Sequence, residues 1–304
     1  MTDKLTDRLI ARIDELKNPS VVGLDTSFDY LPDDMKKSCN TLQEAAQAIT
    51  EFNYRLIDKI YDIVPAVKVQ VAYYEMYGVE GLRAFENTLK YASQKGLIVI
   101  GDVKRNDIGS TASCYSKAYL GGIKVNDKTF IPFPCDYITV NGYLGEDGIK
   151  PFVEDVVGND KGIFVLVKTS NPSSGQIQNK VFEGGRSLYE TMGGLVEEWG
   201  SQTIGKYGYS AVGAVVGATH PKEAEILRSL MPHTLFLVPG YGAQGGTAND
   251  LKVCFDVNKR GAIVNSSRGI ITAYKKKFAG MKFDDAARAA AIEMQEDLYK
   301  AIYC

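Results

Sequence analysis

The sequence predicts an α/β protein that forms a single (β/α)8 TIM barrel over residues 1–304, with an extra N-terminal helix before the first strand. Eight short apolar runs are each followed by a helix-compatible segment, and this alternation favours parallel βαβ units. Eight such units in 304 residues fit a closed barrel better than an open sheet. No glycine-rich dinucleotide fingerprint follows the first run, and no low-complexity linker divides the chain.

The elements follow one another regularly along the chain. Apolar residues spaced three and four apart predict helices at 5–16, 41–60, 79–95, 108–120, 145–157, 187–206, 221–230 and 284–303. Short apolar runs predict strands at 21–25, 66–72, 97–104, 137–141, 162–167, 211–216, 235–238 and 262–265. Thr41 and Glu44 fit a capping box at the start of the second helix. We expect a longer connection at 121–135 and a mobile lid at 169–175, which is rich in Ser, Asn, Pro and Gly.

Composition and charge predict a soluble cytoplasmic protein. The net charge of −2 gives no general attraction to nucleic acid or to an acidic membrane. No apolar run approaches the roughly 20 residues that span a bilayer, and the mixed-charge N-terminus does not resemble a signal peptide. The five cysteines are scattered, which is typical of free thiols in a reducing cytosol. Only two histidines occur and neither joins a ligand cluster, so we expect no metal.

A charged stretch at 101–111 follows the third predicted strand. Residues two apart in a strand share a face, so Asp102 and Lys104 should point the same way and Val103 the opposite way. Asp107 lies past the strand end, at the entry to the next helix. In barrels of this type the active site lies at the carboxyl ends of the strands. Those ends carry polar residues: Asp25, Lys68, Asp102, Lys104, Asn141, Ser170, Thr219, Gln244 and Arg268.

Each of these charges also has a purely structural interpretation. Asp25 could cap the next element, and Lys68 could form a structural salt bridge with Asp25 or Asp102. Asp107 could cap the following helix, and Asp102 could simply pair with Lys104. The combination favours a functional site, because two lysines and three acids at neighbouring strand ends are rarely gathered for structure alone.

The last two loops indicate a phosphate site. Residues 240–246 contain four glycines with free backbone N–H groups close to a helix start, and Gln244 adds an amide donor. Arg268 follows the eighth strand and can bind a phosphate through two parallel hydrogen bonds. Loops after strands seven and eight are the usual phosphate site of such barrels. The alternative is that the glycines only form tight turns.

Several sequence blocks together resemble one enzyme family. Residues 102–109 match the pattern Asp-x-Lys-x-x-Asp-Ile-Gly. Further blocks are Val-Gly-Leu-Asp at 22–25, Val-Lys at 67–68, Lys-Thr-Ser-Asn-Pro at 168–172, Val-Pro-Gly-Tyr-Gly-Ala-Gln-Gly-Gly at 238–246 and Val-Asn-Ser-Ser-Arg-Gly at 264–269. These blocks resemble the long-form (type 2) orotidine 5′-phosphate decarboxylase family over nearly the whole chain. Two positions depart from it: Asn106 stands where Gly is usual, and Thr26 where Pro is common.

The resemblance implies an activity and an assembly. The activity is cofactor-free loss of CO2 from orotidine 5′-monophosphate, giving uridine 5′-monophosphate in de novo pyrimidine biosynthesis. The implied assembly is a homodimer with active sites shared at the interface. The family's charged tetrad would comprise Lys68, Asp102, Lys104 and Asp107.

Within this resemblance each residue has an implied role. Lys104 would stabilise the carbanion at C6 and then protonate it, while Asp107 and Thr111 would serve the neighbouring subunit's site. The implied substrate contacts are Asp25 and Lys68 with the ribose, Ser170 with the pyrimidine, and Gln244 and Arg268 with the phosphate. Closure of the 169–175 lid would follow phosphate binding.

Two rival functions remain open. One is a metal-dependent sugar-phosphate decarboxylase or aldolase on the same scaffold, which shares the Asp-x-Lys-x-x-Asp pattern. The loops that carry Ser170 and Gln244 argue against it. The other is a non-catalytic barrel that binds a phosphorylated ligand, and the mixed-charge cluster argues against that, because carboxylates near an anion add little to simple binding.

Overall fold

Eight parallel strands close into a barrel in the computed structural model, which describes residues 3–242 and 245–304. The strands in chain order are β1 (Ser20–Gly23), β2 (Ala66–Gln70), β3 (Ile98–Arg105), β4 (Ile123–Val125), β5 (Lys128–Phe130), β6 (Tyr137–Val140), β7 (Gly162–Lys168), β8 (Ser210–Val216), β9 (Thr234–Pro239) and β10 (Ala262–Ser266). Around the barrel their order is β1-β10-β9-β8-β7-β6-β3-β2, and β4 pairs only with β5. The predicted barrel class is confirmed.

Helices connect the strands and cover the barrel. They are α1 (Leu5–Leu16), α2 (Asp33–Lys36), α3 (Leu42–Ile60), α4 (Ala72–Glu75), α5 (Gly78–Gln94), α6 (Gly109–Ser116), α7 (Glu146–Asn159), α8 (Gly175–Gln178), α9 (Leu188–Gly200), α10 (Pro221–Leu230), α11 (Arg268–Ile271) and α12 (Phe283–Tyr303). Within the described residues, no helix has both the length and the apolar character needed to cross a membrane.

Two layers of side chains fill the inside of the barrel. The lower layer is an apolar cluster that includes Val21, Ala66, Ile100, Tyr137, Phe164, Leu235 and Ile263. Leu5, Leu9 and Ile13 of α1 belong to the same cluster, so the extra N-terminal helix closes this end of the barrel. Inward positions recur every second residue along a strand, so the next layer lies two residues further on. Its members are Lys68, Asp102, Thr139, Leu166, Leu237 and Asn265.

The structure differs from the sequence predictions at several connections. The 121–135 connection contains the antiparallel β4–β5 hairpin, whose residues are exposed on both faces and therefore lack a buried alternation. The predicted helix at 108–120 is α6 followed by a π-helical turn at Lys117–Gly121. The predicted strand at 66–72 ends at Gln70, and the helix predicted at 187–206 ends at Gly200. The 169–175 lid includes a 3-10 turn at Pro172–Ser174 and leads directly into α8.

The predicted capping box of α3 is present. The Thr41 hydroxyl accepts from the Glu44 backbone N–H at 3.2 Å, and the Glu44 carboxylate accepts from the Thr41 N–H at 3.0 Å. Two of the helix's four free N-terminal donors would otherwise depend on water. This local arrangement fixes where α3 begins.

We predict that Thr41→Ala lowers the free energy of unfolding by about 1 kcal/mol, because the hydroxyl that accepts from Glu44 is lost. Urea denaturation followed by circular dichroism measures the change. Ser93→Ala is the matched control, since Ser93 is exposed in the last turn of α5 and its hydroxyl caps no helix end in the described structure. Equal stabilities of Thr41→Ala and Ser93→Ala would contradict the role of the cap.

Candidate active site

A cavity of about 490 Å³ opens at the carboxyl ends of the barrel strands. Its volume lies in the range of sites for small molecules. Six residues that the sequence predicted for the site line it together: Asp25, Lys68, Asp102, Lys104, Ser170 and Arg268. The opposite end of the barrel is closed by α1. A small ligand therefore reaches this polar layer from the strands' carboxyl ends.

Asp102 is the most heavily bonded side chain in the cavity. Its Oδ1 accepts from Lys104 Nζ at 2.5 Å and from Thr139 Oγ1 at 2.9 Å. Its Oδ2 accepts from Lys68 Nζ at 2.8 Å and from Gln70 Nε2 at 2.9 Å. A carboxylate has about four lone-pair sites, so these donors saturate Asp102. Burial alone would raise the pKa of Asp102, but Lys68 and Lys104 outweigh burial and hold that pKa well below its usual range.

Lys68 lies between two carboxylates. Its Nζ is 2.8 Å from Asp102 Oδ2 and 3.2 Å from Asp25 Oδ1, and its side chain is buried. Burial opposes the charged form of Lys68, but Asp102 and Asp25 more than offset it and raise the pKa of Lys68. The salt bridges considered as a structural alternative are therefore both present. They make Lys68 a permanent cation that fixes the two acids.

The backbone at Lys104 is left-handed, with a φ of 46°. This conformation costs a residue with a Cβ roughly 1–2 kcal/mol. The pairing of β3 with β6 shifts between Gly101 and Arg105, so the strand is irregular at this point. The Lys104 N–H donates to Thr139 Oγ1 at 3.0 Å, which holds the irregular backbone. Asp102 and Lys104 meet as the sequence predicted, although β3 is not the regular strand assumed in that prediction.

Asp107 and Thr111 lie outside the cavity wall in the single chain. Asp107 is half-buried and Thr111 is exposed. Asp107 Oδ1 accepts from the neighbouring Ile108 N–H at 2.8 Å. The residue that caps α6 is Ile108, without a side-chain hydrogen bond, so the helix-cap interpretation of Asp107 is wrong.

The loops after β7 to β10 form the rest of the rim. The Ser170 carbonyl accepts from Thr219 Oγ1 at 3.1 Å, and Ser170 itself lines the cavity. Arg268 begins α11, is exposed, and also lines the cavity. Gly240 stands at the edge with a φ of 104°, a conformation that favours glycine. Gln244, predicted to contact phosphate, lies outside the described residues.

Polar residues of the cavity that the sequence interpretation missed include Gln70, Thr139 and Asn265. Gln70 and Thr139 both donate to Asp102. The Oδ1 of Asn265 is buried without a hydrogen-bond partner in the described structure. The sequence could have indicated Gln70, because it lies two residues after Lys68 and therefore on the same face of the strand. Asn141, named at a strand end, instead accepts from the Tyr143 N–H within its loop.

The remaining part of the cavity floor is apolar. It is formed by Leu166, Val215 and Leu237, on the strands opposite the charged residues. A low-polarity wall strengthens the electrostatic interactions of a ligand with the charges that face it. The cavity thus combines buried charges of both signs with an apolar wall on the opposite side.

Comparisons with known proteins agree with this geometry. A family model described as orotidine 5′-phosphate decarboxylase / HUMPS family matches residues 10–283. A Caldicellulosiruptor bescii protein named orotidine 5′-phosphate decarboxylase is 44% identical over 304 residues, with 98% of each chain covered. A Clostridium acetobutylicum protein of the same name is 40% identical over 299 residues, covering 98% of this chain and 100% of the relative. The solved Leishmania donovani OMP decarboxylase has a TM-score of 0.76 and 28% identity, with 99% of each chain covered.

We predict that Asp102→Asn lowers the free energy of unfolding at pH 7 by about 3 kcal/mol, because Lys68 loses its closer carboxylate. The folded pKa of Asp102 is lowered, so its stabilisation is complete above the unfolded pKa of about 3.9 and is lost as pH falls below that value. The stability difference between wild type and variant should therefore shrink between pH 4 and pH 2.

Urea unfolding at pH 7, 4 and 3 measures this difference. Asp127→Asn, at an exposed acid in the β4–β5 turn, is the matched control and should stay within about 0.5 kcal/mol of wild type. A gap between wild type and Asp102→Asn that stays constant with pH would contradict the electrostatic interpretation.

Proposed function

The chain belongs to the orotidine 5′-phosphate decarboxylase family, and from that membership we propose that it converts orotidine 5′-monophosphate to uridine 5′-monophosphate and CO2. This is a carboxy-lyase reaction of de novo pyrimidine biosynthesis. The single observation that carries the proposal is the row of alternating charges along the cavity wall. It runs through Asp25, Lys68, Asp102 and Lys104, with each neighbour in ion-pair contact.

The difficult step leaves an electron pair on a ring carbon. The bond from C6 to the carboxylate breaks, CO2 departs, and the electron pair stays on C6. The Lys104 ammonium stabilises this negative charge and then gives a proton to C6, after which the amine takes a proton from water. The Lys104 side chain is suited to this role because it is about half exposed at the cavity and already oriented by Asp102.

Asp102 has a second effect on the reaction. The four hydrogen bonds that Asp102 accepts all come from protein side chains. Asp102 therefore acts on the substrate carboxylate only through its negative charge. Repulsion between the two carboxylates disappears when CO2 leaves. We treat this repulsion as smaller than the stabilisation of the carbanion, which acts directly on the transition state.

The remaining residues bind the nucleotide in this proposal. Asp25 and Lys68 hydrogen-bond the ribose hydroxyls, because they form the part of the row of charges that lies away from Lys104 and both line the cavity. Ser170 hydrogen-bonds the pyrimidine from the rim of the cavity, and Arg268 binds the phosphate at the solvent-exposed opening of the cavity. Gln244 is proposed as a further phosphate ligand from its place in the glycine-rich loop.

We further propose a homodimer in which Asp107 and Thr111 enter the partner's cavity. Both residues lie outside the cavity of their own chain. Their surroundings include exposed apolar side chains: Ile108 is 53% exposed, Tyr143 77% and Leu144 44%. Tyr143 and Leu144 precede α7, which packs on α6. Adjacent exposed apolar residues are typical of a protein interface.

The metal-dependent rival is less compatible with the cavity. A divalent cation bound between carboxylates would need the position that the Lys68 ammonium occupies between Asp25 and Asp102. Within residues 3–242 and 245–304, no group of three or more His, Cys, Asp or Glu side chains is arranged to hold a metal ion. The assay below separates the two reactions with a chelator.

We predict that the protein consumes orotidine 5′-monophosphate in the presence of EDTA, and that Lys104→Ala abolishes this turnover. Absorbance of the pyrimidine measures turnover, and calorimetry measures binding of uridine 5′-monophosphate. Binding should stay within about tenfold in Lys104→Ala, because the lysine acts mainly in the transition state. Lys128→Ala, at an exposed lysine of the hairpin, is the matched control. Surviving turnover in Lys104→Ala would refute the acid assignment, and loss of turnover with EDTA would favour the metal-dependent rival.

Mixing Lys104→Ala and Asp107→Ala proteins should restore activity. A hybrid dimer contains one site with both residues intact, so random exchange should give about a quarter of wild-type activity. Mass spectrometry of the intact dimer verifies exchange, and each variant incubated alone is the control. No recovery after verified exchange would contradict the shared site.

A further inference from the structure

Lys168 is a buried cation for which the proposed reaction has no use. It is the last residue of β7 and has 0% exposure. The other buried lysine among the described residues, Lys68, binds carboxylates, whereas Lys168 hydrogen-bonds only neutral oxygens in the described part of the chain. Burial lowers the pKa of Lys168, although the charge of Glu223 opposes this. Removing an ammonium from water without a carboxylate in direct contact is unfavourable by several kcal/mol, so the burial of Lys168 indicates a specific role.

The contacts of Lys168 join the two ends of α8. Its Nζ donates to Asn179 Oδ1 at 2.7 Å and to Ser174 Oγ at 3.3 Å. Ser174 immediately precedes α8 and Asn179 immediately follows it. The ammonium also lies 5.7 Å from the centre of the Tyr189 ring, at the start of α9. One side chain thus fastens this short helix to the barrel wall.

The helix in turn holds the strand end that faces the cavity. Gln178 in α8 accepts from the Thr169 N–H at 3.0 Å and donates to Thr169 Oγ1 at 2.8 Å. Thr169 and the next residue, Ser170, both line the cavity. A Cβ on Gly217 would come within 2.7 Å of the Ser170 nitrogen, so glycine at this place lets Ser170 sit close against β8. The backbone around Ser170 is therefore supported from two sides.

We propose that Lys168 is a positioning residue: by holding both ends of α8, it keeps Thr169 and Ser170 at the edge of the nucleotide cavity. The inference deepens the proposed function and rests on it, since Ser170 is proposed to contact the pyrimidine. Lys168 itself does not contact the substrate. Its loss should shift the 169–179 segment toward looser conformations, and substrate binding then has to reorder the segment.

The expected effect concerns binding more than chemistry. If the competent arrangement falls to about a tenth of molecules, the apparent dissociation constant rises about tenfold. In Lys168→Met, which keeps the apolar stem and removes the charge, KM should rise about tenfold while kcat stays within about threefold. Without nucleotide, cleavage of the 169–179 segment should be about tenfold faster. A protease of broad specificity is required, because residues 169–179 contain no Lys or Arg.

The matched control is Lys161→Met, since Lys161 binds Asp136 at the opposite end of the barrel and should leave KM and cleavage unchanged. Asn179→Ala should act in the same direction as Lys168→Met, and the double variant should fall short of the product of the two single effects because one contact is removed twice. Asn179→Ala alone decides the matter if Lys168→Met does not fold.

A folded variant in which KM or cleavage of the segment stays within twofold of wild type would overturn the proposal. The proposal would also be overturned if KM and kcat both worsened in proportion to a loss of global stability, because that result indicates a merely structural role for Lys168. Cleavage is measured without substrate. It therefore still tests whether Lys168 holds the 169–179 segment, even if wild-type protein fails to turn over orotidine 5′-monophosphate. Failure of the proposed function is thereby distinguished from failure of this inference.

Discussion

The saturated carboxylate of Asp102 is the constraint on which the cavity depends. Its donors come from β2, β3 and β6, so all three strands must keep their register for the cluster to form. A slip of one residue would turn each inward side chain toward the helices. Closure of the barrel and the apolar layer beneath it prevent such a slip. Stability and charge arrangement are therefore linked: the strands bury Lys68 and Asp102, and the paired charges hold neighbouring strands in register.

Much of the charged cluster can be predicted from the sequence, because every second residue of a strand faces the inside of the barrel. That period predicted that Asp102 and Lys104 point the same way, and chain order predicted Lys68 at the end of the neighbouring strand. Both lysines contact Asp102 in the structure. Applied consistently, the period would also have selected Gln70 and Thr139, which lie two residues from charged or polar positions already noted. Identification of the barrel and of the charged core thus required only local pattern and chain order.

The remaining features depend on contacts between distant segments. The β4–β5 hairpin is exposed on both faces, so no hydrophobic alternation marks it. The role of Lys168 depends on α8, whose four residues have no periodic pattern. The left-handed backbone of Lys104 has no signal in residue type, since lysine does not favour that conformation. Tertiary contacts, here with Thr139, decide such a conformation.

The left-handed backbone of Lys104 also affects what a substitution at this position would do. Glycine adopts a φ of 46° without the strain that lysine bears there, a gain of roughly 1–2 kcal/mol. Glycine would also remove the ammonium that pairs with the buried Asp102 carboxylate, and that loss opposes the gain. The backbone strain at Lys104 is therefore offset by the same ion pair that orients the proposed proton donor, so relief of the strain is not a route to a more stable protein.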